Sequence, residues 1–127
     1  MRGTILLFLV CMTGFAKKLD GVLVDASCYE AHERNISPWA LDASRDRNYE
    51  VQYCRANART KSFTVVQPDG QSFKLDSTGN AKAAEIVRNG DPTFTFVVYV
   101  TGEESDHSIK VDSIWLLRNR QALRTRQ

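Results

Sequence analysis

The chain has 127 residues, 43% of them hydrophobic and 25% charged, with 17 Lys and Arg against 15 Asp and Glu. This length suits one domain with its own core, and the composition is that of an ordinary soluble fold. A charge so nearly balanced gives no broad attraction to nucleic acid or to an anionic membrane, so neither is an expected partner.

The N-terminus reads as a signal peptide in three parts. Basic Met1-Arg2 precedes the apolar run Ile5 to Met12, and the small residues Gly14 and Ala16 then stand third and first before Lys17. This is the pattern that signal peptidase cuts. The apolar run is too short to cross a bilayer of ~30 Å, and no other stretch of the chain is long enough. Cleavage after Ala16 and export, to the periplasm or the medium, are therefore expected. Cys11 would leave with the peptide, and bulky Val10 before it argues against lipid attachment. The domain should then span residues 17–118, ahead of a flexible basic tail over 119–127.

Two cysteines remain after cleavage, Cys28 and Cys54. An even count in an oxidising compartment favours a disulfide. Closing a loop of this size is worth roughly 3.5 kcal/mol in the chain-entropy account.

The elements follow in order. Leu19–Asp25 alternates and is β-branched, the mark of a first strand. Residues 26–61 form a charged insert without sustained alternation. Within it, Asp46–Ala56 places Tyr49, Tyr53 and Ala56 at helical spacing, although Tyr49, Val51 and Tyr53 also alternate; a short helix is favoured. Ser62–Gln67 and Gln71–Leu75 flank Pro68-Asp69-Gly70, a hairpin in which Pro presets the first φ and Gly accepts a positive one. Ser77-Thr78-Gly79-Asn80 supplies N-cap candidates for a helix over Ala81–Arg88, which buries Ala83, Ile86 and Val87. Asn89-Gly90 and Pro92 then stop it.

Thr93–Thr101 is a strongly apolar strand with Phe94, Phe96, Val98 and Val100 on one face. Gly102–His107 reads as a polar turn. Ser108–Leu117 alternates through Ile109 and Val111, then changes phase at Ser113-Ile114 as a β-bulge would. The order predicts a mostly β fold: a small five-stranded OB-like barrel, with one helix between strands three and four and an irregular disulfide-tethered insert after strand one.

The residues Gly21-Val22-Leu23-Val24-Asp25-Ala26-Ser27-Cys28, then His32, Cys54, FTVVQPDGQSFKLD, VVYVTG and IKVDSI together resemble a family of bacterial secreted OB-fold-like domains. The likeness spans about residues 20–117. It implies an OB-like barrel and export, and it brings no assigned activity. Members commonly carry a further cysteine four residues before the one matching Cys54; Glu50 stands there in this chain. That departure weakens any metal site implied by the resemblance.

Two constellations carry the functional expectations. Cys28 and His32 lie one helical turn apart and, with Cys54 and Glu50 or Glu33, would offer a four-donor set for zinc or copper. A disulfide would consume both thiolates. The second is a binding face on strands two and three, with Phe63, Phe73 and Lys74 edged by Arg59 and Lys61. OB-type barrels often bind oligomers across these strands.

The remaining signals are weaker. Glu103 to His107 lacks the spaced ligands and central Gly of a calcium loop. Asp42 and Asp46 show no cleft, and the Asn35-Ile36-Ser37 sequon is followed by Pro38. Trp39 reads as a plug on one end of the barrel. No nucleophile with an orienting base stands out, and no cofactor is expected. The sequence thus points to a non-enzymatic binding module for an envelope or extracellular partner. A metal-binding or redox protein built on Cys28, His32 and Cys54 is the alternative.

Overall fold

The computed structural model describes residues 15–33, 51–91 and 93–121. They form β1 (Phe15–Asp25), α1 (Ala26–Glu33), β2 (Phe63–Val66), β3 (Ser72–Leu75), α2 (Ser77–Asn89), β4 (Phe94–Ser105) and β5 (Ser108–Gln121). Residues 51–53 are also helical. The apolar run 5–12, the sequon at Asn35, Trp39, Asp42, Asp46, Glu50 and the Arg-rich end past 121 lie outside the described residues. No helix among the described residues is long and apolar enough to cross a membrane.

The five strands make one mixed sheet in the order β1-β2-β3-β5-β4, and it closes on itself because β1 pairs with both β2 and β4. All pairs are antiparallel except β3 with β5. Register sets the two faces. Leu19 opposes Val100, Leu23 opposes Val65, and Val65 opposes Phe73, so residues of this parity share the inside. That inside is one cluster, including Leu19, Leu23, Phe63, Val65, Phe73, Leu75, Phe96, Val98, Val100 and Ile109. Burying one such side chain contributes about 1.5–3 kcal/mol.

The cluster is closed from one side by α2, through Ala83 and Val87. The helix starts earlier than expected, and its N-cap is Asp76 rather than any residue of Ser77–Asn80. The Asp76 carboxylate accepts from Gly79 N at 2.9 Å and from Val111 N at 3.2 Å, so one oxygen caps α2 and ties it to β5. A side chain at Gly79 would collide with Val111, which explains a glycine inside the first helical turn. Asn80 Oδ1 in turn accepts from Phe63 N at 2.9 Å, fastening the helix to β2.

Three expectations change. The insert begins with a helix rather than irregular chain: Ala26–Glu33 is α1, capped by Asp25, whose Oδ1 accepts from Cys28 N at 3.1 Å, while residues 54–61 are irregular as expected. Glu103 and Glu104 are not turn residues but the end of β4, paired with Ala16 and Phe15 of β1. β5 runs on to Gln121, so the stretch read as the start of a flexible tail is strand, paired with β4. The predicted change of phase in β5 is present as two register shifts, opposite Asp112 and Leu117.

Candidate functional site

Cys28 and Cys54 form a disulfide, with Cα atoms 5.5 Å apart. It fastens α1, at the start of the insert, to the segment around Cys54 near the insert's end. That segment adds to the end of β1: Asp25 N donates to Cys54 O at 2.7 Å, and Ala56 N donates to Leu23 O at 3.3 Å. Around the bond, Val24, Tyr29, Cys54 and Val66 form a second small core on the outer face of β1 and β2, with Val22, Cys28 and Val51 beside it. Of the expected metal set, Glu50 and the side chains of His32 and Glu33 lie outside the described residues. Both sulfurs are spent on each other and supply no thiolate. Among the described residues no group of three metal-ligating side chains converges.

The expected aromatic face is also corrected. Phe63 and Phe73 are 0% and 1% exposed, because their parity in β2 and β3 points into the closed sheet. Arg59 and Lys61 are exposed, and Arg59 sits in the turn closed by Thr60 N to Asn57 O at 3.0 Å. Lys74 alone of that set reaches a concave site. Tyr53, expected on the apolar side of a helix, is 62% exposed instead, while its neighbours Val51 and Cys54 pack inward.

The concave site is a cleft of about 230 Å³ walled by α1, the outer faces of β2 and β3, and the β4–β5 turn. Its floor is the parity opposite to the phenylalanines: Thr64 on β2 with Ser72 and Lys74 on β3, joined by Ser108. Lys74 lies between Thr64 and Ser108 in register, and its backbone N–H donates to His107 O at 3.0 Å. Ala26, Tyr29 and Glu30 of α1 make one wall, and Asp106 and His107 make the other. The disulfide, the Asp25 cap and the buried Tyr29 tie the α1 wall to the sheet.

The Asp106-His107 turn has a property no other described segment shares. Both residues have positive φ, 53° and 62°, and among the described residues they are the only non-glycines that do. A two-residue hairpin turn needs this left-handed backbone at both central positions and is best served by Asn-Gly or Asp-Gly. Keeping His where Gly would relax the turn retains a side chain at the cleft mouth at a cost in strain. The imidazole also lies 6.5 Å from the Phe73 ring, tilted against it. The Lys17 ammonium sits 4.8 Å above the same ring and 3.2 Å from Glu104 Oε1.

A larger depression of about 780 Å³ runs beside Lys17, Lys18, Gly102, Glu103 and Lys110. Its lining mixes these charged side chains and Asp112 with Ala16, Thr101 and the buried Val111. It converges no set of groups comparable to the smaller cleft.

The alternation Phe63-Thr64-Val65 and Ser72-Phe73-Lys74 already carried the signal for the cleft floor, since the polar parity must face out if the phenylalanines face in. The walls had no such signal, because α1 and the turn come together only through the closure of the sheet. The chain matches no known family model, no curated protein and no solved structure.

Proposed function

We propose that this chain is an exported OB-like binding module without catalytic machinery, and that it holds its ligand in the cleft between α1 and the β4–β5 turn. The OB assignment is supported by the order β1-β2-β3-β5-β4 with return to β1, the parallel pairing of β3 with β5, and the helix after β3. Such barrels bind across strands two and three, between the loop after strand one and the loop before strand five. The cleft occupies that position. Export is supported by the signal-like N-terminus together with the disulfide.

The observation that carries the reading is the left-handed Asp106-His107 pair at the mouth of the cleft. Strained non-glycine backbone persists where side chains are needed, and here it frames a floor of hydroxyls with charges of both signs. The cleft is smaller than sites that enclose drug-sized molecules, so it seats one small polar unit. A hydroxyl-rich unit of a neutral glycan fits this mixture better than a phosphate chain, because Glu30 and Asp106 oppose anions.

The test is a titration of the nitrogen-labelled mature chain with chitotriose, maltotriose and a polyuronate, followed by NMR. The reading expects shifts at Thr64, Ser72, Lys74 and Ser108, weakened by Lys74→Glu and by Ser72→Trp, which fills the floor. Binding that maps elsewhere, or no response to any of the three, refutes it.

A further inference from the structure

Among the described residues, the far edge of β5 has no neighbouring strand beyond Ile109. β3 pairs with β5 only at Ser108 and Ile109. Beyond them, Asp76 takes up the N–H of Val111, and Lys82 Nζ donates to Asp112 O at 3.3 Å. From Ser113 onward no strand among the described residues pairs with this edge, while β4 continues along the other side to Gln121. The same stretch carries Trp115, Leu116 and Leu117, which are 47%, 38% and 44% exposed. An apolar edge of this length is a template for another strand.

We propose that β5 pairs antiparallel with β5 of a second copy of this chain, about a two-fold axis at Trp115. The occupant is identified by charge complementarity in the strand itself. An antiparallel pair centred on Trp115 sets Ile114 against Leu116 and Asp112 against Arg118, once on each side of the axis. A two-fold interface requires this reciprocity, since whatever one residue meets must meet it in return.

The shifts against β4, at Asp112 and Leu117, bracket the regular window Ser113–Leu116 at the middle of the proposed pairing. Both charges are exposed and stand at or just beyond the ends of that window. Trp115 is already braced, stacked on Tyr99 with ring centroids 4.8 Å apart. None of these residues lines the cleft, so this pairing is independent of the proposed function.

Sedimentation of the mature, oxidised chain from low to high micromolar concentration tests the proposal. A reversible monomer–dimer equilibrium is expected. Asp112→Arg alone, or Arg118→Asp alone, replaces both attractive contacts with repulsive ones and should weaken the dimer by about tenfold or more. The double reversal D112R/R118D should restore it, with the same composition as the natural chain. Mixing the two single variants should give a heterodimer, because each then supplies the charge the other lacks. A monomer at every concentration overturns the proposal. So does a dimer indifferent to the single reversals, or a failure of both the double reversal and the mixture to recover pairing.

Discussion

Replacing both Cys28 and Cys54 by Ala asks how far the α1 wall depends on one covalent bond. The cysteines are 26 positions apart, and the chain-entropy relation converts that separation to about 3.5 kcal/mol at room temperature. Cys54 is also buried among Val24, Tyr29 and Val66. Removing its sulfur leaves a small void that adds about 1 kcal/mol. The sum is roughly 4–5 kcal/mol, a large share of the 5–15 kcal/mol that holds an ordinary domain together. Urea unfolding of the oxidised chain and the double variant measures it directly. With a slope of about 1–3 kcal/mol/M, the midpoint should fall by at least about 1.5 M. Hydrogen exchange adds the spatial part: α1 amides should lose protection well before those of β1 and β4. A loss below about 1 kcal/mol, or uniform loss of protection across the sheet, would refute the idea that the bond specifically anchors α1.

Further outcomes follow from single groups. Asp76→Ala should cost about 2–3 kcal/mol in urea unfolding, because it removes the α2 cap and leaves the Val111 N–H without its acceptor. Phe73→Ala should cost about 3–5 kcal/mol, the range of a fully buried ring, whereas a surface platform would lose little. His107→Gly should raise stability by about 1 kcal/mol or less while weakening ligand capture at the cleft, and equal binding by this variant would count against the proposed site. The backbone N–H of Thr93 and its hydroxyl donate to Asp91 at 3.0 and 2.7 Å and hold that carboxyl below its usual range. Its small contribution is therefore complete above the unfolded-state value of about 3.9 and is lost as pH falls through the lower folded value. Asp91→Asn should flatten only that acid limb of an unfolding-midpoint profile.

The strands and α2 were legible because their burial repeats. Phe63 with Val65, Phe73 with Leu75, and Phe96 with Val98 and Val100 alternate, and each set is buried on one side. Helix α1 was not legible for the converse reason. Among its described side chains only Ala26 and Tyr29 are buried, too few to show a period, and a disulfide adds a covalent tie. The ends of β1 and β4 were also hidden. Lys17 and Lys18 look like loop yet pair with Gly102 and Thr101, and Glu103 and Glu104 look like loop yet pair with Ala16 and Phe15. The cleft floor was readable in parity, but Phe63 and Phe73 draw the eye to the wrong face. The polar turn read over Gly102–His107 is present only at its end, Asp106-His107, and no glycine there announced the left-handed backbone.

The N-terminal ladder bears on where processing can fall. β1 meets β4 over eight positions, from Phe15 opposite Glu104 to Val22 opposite Val97. A cut after Ala16 removes the Phe15 and Ala16 positions and leaves the six that begin at Lys17. Lys17 has side-chain ties to the fold, to Glu104 and across the face of Phe73. The new α-ammonium would arise on that same residue, opposite Gly102 and beside the acidic pair Glu103 and Glu104. The charge created by cleavage therefore meets complementary charge on β4, where the exposed setting limits its worth to about 1 kcal/mol or less. A cut several residues further on would instead take away Leu19, which is 2% exposed and faces Val100 in the main core. For a cut of the expected kind, the burial of Leu19 would set the downstream limit, and the small residues Gly14 and Ala16 lie upstream of it in the sequence.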